Sequence, residues 1–201
     1  ATLRDLGLRH SLVPLDRASF HVQVVMPLTP LEPTANAQTR QVVEDIAERT
    51  LGWLTTERRV YTEGRPLLMS LPGSLFPPGL QDPRGYLQSF GQVEEHIQLL
   101  GGALPEAGVS LVDGVPQVDG LMGAFAARVH GVEPDDILVL YEGLGENVRR
   151  LRVRVSGVAI PTDPEEGYWL GYSDTFLGAG TVEELEDELE EELPPTGLFV
   201  S

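Results

Sequence analysis

The chain has neither cysteine nor lysine, and these two absences remove several classes of chemistry. Without cysteine there are no disulfides, thiolate nucleophiles, iron–sulfur clusters or cysteine-ligated zinc sites. Without lysine there is no Schiff-base chemistry, no lysine general base and no P-loop lysine. All 14 basic residues are therefore arginines.

The sequence also lacks the motifs that usually mark catalytic and ligand-binding sites. It has no GxGxxG, no P-loop, no HExxH, no GxSxG and no calcium-binding loop. Its four histidines are scattered along the chain, so a zinc site would require them to converge in space. We therefore predict no catalytic residues, no metal site and no cofactor, and expect a protein that is not an enzyme.

Long apolar runs are missing as well, and acidic residues outnumber basic ones. No run approaches the roughly 18 apolar residues of a membrane span, and the first residues do not resemble a signal peptide, so we expect a cytoplasmic protein. The net charge of −17 disfavours nucleic acids and anionic membranes, because both repel an acidic surface. The predicted partner is another protein or a second copy of the chain.

Against these absences, the segment 137–160 has the clearest strand pattern and the only cluster of positive charge. A continuous apolar run at 137–141 predicts a strand buried on both faces. After a glycine-containing loop, arginines alternate with leucine and valine, so the strand period of two places three guanidinium groups on one face. These residues are Arg150, Arg152 and Arg154. The segment is predicted to be a β-hairpin.

The apolar positions change parity within the second strand of this hairpin. They are odd-numbered up to Val155 and even-numbered at Val158 and Ile160. A β-bulge at Gly157 explains the change and predicts that Val158 and Ile160 turn towards the core.

The arginine face has two readings. It is either a binding site for an anionic ligand or an acidic partner, or a structural feature. As a structural feature, its charges protect a sheet edge or pair with carboxylates of the same chain. Aspartates at predicted turns, Asp135 and Asp136 among them, are the nearest candidates for a site beside the arginines.

Elsewhere the apolar periodicity predicts helices over 34–54, 86–100, 119–130 and 181–193, and a second hairpin from strands at 58–62 and 67–71. The predicted order is β-α-β-β-α-β-α-β-β-β-α. It favours an α+β fold with a mixed, mainly antiparallel sheet, about four helices, two hairpins and an acidic C-terminal helix. The predicted organisation is an N-terminal arm at 1–19, a single α+β domain at 20–180, and an acidic helix and tail at 181–201.

Two further segments have the composition of contact surfaces. The loop 72–85 is rich in proline and glycine yet carries an apolar group that either inserts into a partner or packs back on its own core, namely Leu75, Phe76, Pro77 and Pro78. The predicted last helix carries eight carboxylates that form either a solvated face or a docking surface for a basic partner. They are Glu183, Glu184, Glu186, Asp187, Glu188, Glu190, Glu191 and Glu192.

Taken together, the sequence predicts a non-catalytic protein-interaction or assembly subunit that contacts partners through the Pro/Gly loop and the acidic helix. The alternative is a small enzyme or ligand-binding domain that holds an anionic ligand on the arginine face.

Overall fold

The computed structural model describes residues 33–52, 61–74, 83–143, 148–169 and 196–200. The chain divides into two compact units, Ala1–Arg58 and Arg59–Ser201. The predicted boundaries at residues 19 and 180 stay predictions.

In the first unit, the described element is the helix α1, Pro33–Leu51, close to the helix predicted over 34–54. Val42 and Ile46 lie one turn apart on it and are exposed.

The described part of the second unit consists mainly of strands. They are β1 (Tyr61–Glu63), β2 (Leu67–Ser70), β3 (Arg84–Phe90), β4 (Ile97–Gly102), β5 (Ser110–Val112), β6 (Val115–Gly123), β7 (Ile137–Glu142), β8 (Arg149–Pro161) and β9 (Thr196–Phe199). A single turn of 3-10 helix, Val93–Glu95, lies between β3 and β4, and the short helix α2, Ala124–His130, follows β6 directly.

Six of these strands close into a β-barrel. The neighbours around the ring are β8, β7, β2, β3, β9 and β6, and β6 pairs with β8 to complete it. The pairs β3–β9 and β6–β8 are parallel, and the other pairs in the ring are antiparallel. β1, β4 and β5 pair with β3, β8 and β6 respectively. The predicted α+β fold is therefore wrong, because the described chain forms a barrel with two helices.

A cluster of aliphatic side chains fills the barrel, and α2 and the residues after it add Ala127 and Val132 to this cluster. Its members on β7 and β8 alternate along the strand, and β2, β6 and β9 contribute one residue each: Met69, Met122, Leu138, Leu140, Val153, Val155 and Leu198. A second, largely aromatic cluster packs on the other face of the sheet and consists of Phe90, Leu121, Ala159, Tyr168, Trp169 and Phe199.

The helix predicted over 86–100 is wrong, because these residues form β3, the 3-10 turn and β4. In β3, Tyr86, Gln88 and Phe90 are buried, so the strand alternates. Gln88 is 1% exposed and donates to the Glu63 carboxylate across 3.3 Å. This buried polar residue interrupts the apolar alternation, so that helical spacing fitted the segment better.

The helix predicted over 119–130 is correct only from Ala124 onwards, because residues 119–123 belong to β6. Leu121 packs in the aromatic cluster and Met122 packs inside the barrel, so both faces of this strand are buried. A strand buried on both faces has no alternation of apolar and polar residues, and periodicity cannot separate it from a buried helix.

The two predicted hairpins have different outcomes. β7 and β8 pair antiparallel from Ile137 opposite Arg154 to Glu142 opposite Arg149, so the hairpin predicted within 137–160 is confirmed. β1 and β2 each pair with β3 instead, so the second predicted hairpin is wrong.

Candidate functional site

The three arginines predicted as a binding face lie on the outside of the barrel. Val153 and Val155, which alternate with Arg152 and Arg154 along β8, are fully buried inside it. Because successive side chains of a strand point to opposite faces, Arg150, Arg152 and Arg154 share the outer face.

Arg154 pairs with a carboxylate on the neighbouring strand. Asp119 of β6 stands opposite Arg154 in the parallel register, and the guanidinium Nε donates to the Asp119 Oδ1 across 2.9 Å. A second guanidinium nitrogen donates to Asp119 Oδ2, which makes the pair bidentate. The Asp119 side chain is only 11% exposed, and Asp135 adds a longer contact of 3.8 Å to Arg154.

This environment lowers the pKa of Asp119. The largest cause is the hydrogen bond from Arg154, and the positive charge of Arg154 adds to it, while burial opposes both effects. The backbone of Glu106, in the connection between β4 and β5, also contributes to lowering the pKa of the Asp119 carboxyl.

The other two arginines also have neighbours within the chain. Arg152 Nε donates to Gln117 Oε1 across 3.1 Å, and Gln117 is its register partner on β6. The guanidinium carbon of Arg150 lies 5.9 Å from the ring centroid of Tyr141, a cation–π distance. Arg154 thus makes the carboxylate pair of the structural reading, whereas Arg152 and Arg150 contact neutral side chains. Whether the face also binds an anion or a partner stays a prediction.

The connection from β4 to β5 crosses the outside of β8 at its bulge. In the β6–β8 register, Gly120 stands opposite Val155 and Leu121 opposite Gly157, so Ser156 is the extra residue of a bulge there. The Ala103 N–H donates to the Ser156 carbonyl across 2.8 Å. A Cβ on Gly157 would lie 2.6 Å from the Ala103 carbonyl oxygen, so this crossing requires glycine.

The predicted bulge beside Gly157 is thus confirmed, and its consequence for the following residues is partly so. Val158 packs against the cluster inside the barrel, as predicted, although it is half-buried. Ala159 is fully buried in the aromatic cluster, and Ile160 is half-buried.

The crossing leads into the most apolar exposed part of the second unit. Every exposed large apolar side chain described after residue 60 lies between positions 99 and 111, which we call the exposed segment: Leu99, Leu100, Leu104, Val109 and Leu111. Val109 and Leu111 are 70% and 74% exposed. The sequence has no lysine or arginine from 85 to 127, so the exposed segment itself carries no basic side chain.

The exposed segment ends in a tight hairpin formed by β5 and β6. Val112 and Val115 are register partners that flank Asp113 and Gly114, whose φ angles are 53° and 75°. Positive φ at both central residues is the signature of a type I′ turn. Val115 and Pro116 pair only with β5 among the described strands, so the hairpin tip is not paired with the barrel strands.

The histidines and aspartates do not assemble into a metal site among the described residues. His96 lies 2.8 Å from a Glu166 carboxylate oxygen and stacks on the Tyr168 ring. His130 lies 3.1 Å from the Thr196 hydroxyl, and burial lowers the pKa of His130. Asp136 accepts a hydrogen bond from the Glu133 N–H, which is turn chemistry.

Two sets of predicted site residues lie outside the described residues. They are the loop residues Leu75, Phe76, Pro77 and Pro78, and the acidic residues Glu183, Glu184, Glu186, Asp187, Glu188, Glu190, Glu191 and Glu192.

Sequence reasoning did not find the partners of the arginines or the exposed segment. The signal for the partners was the alternation Gln117-Val118-Asp119, which matches Arg152-Val153-Arg154 in spacing, but it required β6 to be recognised as a strand. The signal for the exposed segment was leucine and valine within a long stretch free of basic residues.

No protein-family model matches the chain, and no curated protein matches it either. Among the described residues, no helix has the length and apolar character needed to cross a membrane.

Proposed function

We propose that the protein is a non-catalytic interaction or assembly subunit that contacts a protein partner through the exposed segment 99–111. The observation that carries the proposal is the clustering of Leu99, Leu100, Leu104, Val109 and Leu111, the exposed large apolar side chains described in this unit, on one short stretch of chain. Exposed apolar residues scattered singly are normal, whereas a clustered group is typical of an interaction surface.

The location of these residues supports the proposal further. Val109 precedes β5 and Leu111 lies within it, in a hairpin whose tip does not pair with the described barrel strands, and both side chains are accessible to another molecule. Burying them would be favourable by about 25 cal/mol per Å² of apolar surface. The hydrogen bond from the Ala103 N–H to the Ser156 carbonyl holds the exposed segment against β8, which lowers the entropy lost on binding.

The alternative function, an anionic ligand on the arginine face, has less support. Arg154 is held by Asp119 in a bidentate pair, and Arg152 is bonded to Gln117. A ligand would have to compete with these contacts, and the arginines that it used would lose partners in their own chain.

The Pro/Gly loop and the acidic helix stay in the proposal as further contact surfaces, predicted from the sequence alone. A cytoplasmic location and the absence of nucleic-acid binding are likewise part of it, and the net charge of −17 supports the latter.

Site-specific photocrosslinking in cells of the source organism tests the proposal. A photoreactive residue at position 104 is expected to give a discrete protein adduct, and the same probe at position 65 is the matched control. Arg65 is also exposed, with 69% of its side chain accessible, but lies outside the exposed segment.

The substitutions Val109→Ser and Leu111→Ser are expected to abolish the adduct at position 104 without unfolding the protein. Adducts of the same pattern from positions 104 and 65, or an adduct unaffected by both serines, would show that the exposed segment is not the contact surface.

A further inference from the structure

We infer that the partner binds as an extended, basic segment that adds a strand to the edge of β5 that no other described strand occupies. This inference rests on the proposed function and names the partner's chemistry and its mode of binding. It follows from the hydrogen-bonding pattern of the β5–β6 hairpin and from the charge around it.

The register of the hairpin leaves one side of β5 available for pairing. Val112 and Val115 flank the two-residue turn and therefore form a hydrogen-bonded pair, as do Ser110 and Gln117 two positions away. Leu111 faces Pro116 between them, at a non-hydrogen-bonded position. The N–H and C=O of Leu111 therefore point away from β6, towards the side on which the described sheet ends.

The two edges of the hairpin tip differ. On β6, Pro116 has no N–H, so this edge cannot donate to an added strand at that position. On β5, Leu111 supplies both a donor and an acceptor, and its side chain is 74% exposed. Strand addition is therefore directed to β5.

The other described edge strands carry features that oppose strand addition. β4 has an irregular register between Leu99 and Gly101 opposite β8, and such a bulge disrupts the regular spacing that an added strand needs. β1 carries the charged Glu63. β5 has neither feature among its three residues, Ser110–Val112.

Charge specifies the class of partner. The stretch 85–127 contains no arginine or lysine, and Asp113 follows β5 directly, whereas Glu106, which precedes β5, interacts with the charge of Arg154. A strand that alternates apolar side chains with arginine or lysine would place an apolar group against Leu111 and a positive charge near Asp113. A second copy of this chain would bring a further net charge of −17, which opposes self-association.

A short capped peptide of alternating valine and arginine is the probe for this edge. It is expected to bind the full-length protein, measured by fluorescence anisotropy, and to shift the amide NMR signals of residues 109–112. The same peptide with alternate backbone nitrogens methylated keeps the charge and the side chains but cannot form the strand ladder. It is expected to bind about tenfold more weakly, the effect of losing one or two hydrogen bonds.

A pair of protein variants tests the same edge by changing the protein instead of the peptide. Leu111→Ala removes most of the side chain, whereas Leu111→Pro also removes the outward N–H and keeps the hydrogen bonds of the hairpin, which the Val112 amide signal reports. We expect the proline variant to bind the peptide about tenfold more weakly than the alanine variant.

The outcomes separate this inference from the proposed function. Equal binding of the plain and methylated peptides would show that side chains and charge suffice without backbone hydrogen bonds, and would overturn strand addition. If neither peptide binds while the crosslink at position 104 still depends on Leu111, the proposed function stands and the basic strand is wrong. A dimer in sedimentation that Leu111→Pro dissociates would identify the occupant as a second copy, and would overturn the basic partner.

Discussion

The first half of β8 and the exposed segment 99–111 are neighbours on the outside of one barrel, yet their side chains differ in whether they have partners within the chain. On β8, the arginines Arg152 and Arg154 are bonded to the adjacent strand. On the exposed segment, leucine and valine side chains are left accessible to solvent. The charged side chains of β8 are thus largely hydrogen-bonded within the chain, whereas the apolar side chains of the exposed segment stay accessible to solvent. The exposed apolar side chains therefore mark the interaction surface better than the concentration of charge does.

The two regions meet at Gly157, and among substitutions in these two regions its replacement should have the largest effect on stability. In Gly157→Ala, the new Cβ would lie 2.6 Å from the Ala103 carbonyl oxygen, which is backbone and cannot rotate away. We expect a loss of about 1–3 kcal/mol in the free energy of unfolding, measured by urea denaturation, because the crossing must shift away from β8.

Gly64→Ala is the matched control for this substitution. A Cβ there would lie 3.4 Å from its nearest neighbour, the Leu87 carbonyl oxygen, which is an ordinary contact. Equal effects of the two alanines would show that the close crossing at Gly157 does not constrain the fold.

A smaller loss of stability is expected at Asp119, which pairs with Arg154. Asp119→Asn removes the charge from a bidentate pair, and a loss of about 1 kcal/mol is expected, since Arg154 is partly exposed and solvent weakens the interaction. Asp135→Asn is the control, because the Asp135 carboxylate is 84% exposed and 3.8 Å from the guanidinium. We expect it to change stability by less than about 0.5 kcal/mol.

The same pair predicts how stability depends on pH. The pKa of Asp119 is lowered in the folded state, so the unfolded chain takes up this proton first as the pH falls. The stabilisation by Asp119 is therefore complete above the unfolded pKa of about 4 and is lost as the pH falls through the folded value. Asp119→Asn should remove this part of the acid dependence; identical urea midpoints against pH for both proteins would contradict the assignment.

The residues of this pair show what could be predicted from sequence. The alternation of arginine with valine fixed the outer face of β8 correctly, because strand period depends only on local geometry. Its partners could not be predicted, since β6 is buried on both faces at Leu121 and Met122 and lies parallel to β8 through a long-range connection. The barrel was missed for the same reason, because its closure depends on the pairing of β6 with β8 and not on the pattern of either strand.

Replacing the first two arginines of the face, Arg150 and Arg152, is expected to change stability less. Arg150 contacts the Tyr141 ring and Arg152 bonds to the neutral Gln117, so neither interaction joins full opposite charges. The double variant Arg150→Gln, Arg152→Gln should change the melting temperature by no more than a few degrees. It should also leave binding of the valine–arginine peptide unchanged or slightly stronger, because it makes the protein more acidic. A tenfold loss of peptide binding would place the interaction surface on the arginine face instead.

The smallest effect on stability is expected from the most exposed leucine. Leu111 is 74% exposed, so Leu111→Ser removes little buried surface, and the free energy of unfolding should stay within about 0.5 kcal/mol of wild type. Leu138→Ala is the contrasting change, since Leu138 is fully buried in the barrel and its truncation should cost about 2–5 kcal/mol. If Leu111→Ser destabilised the protein as much as Leu138→Ala, Leu111 would be part of the fold's own core and not a surface kept for a partner.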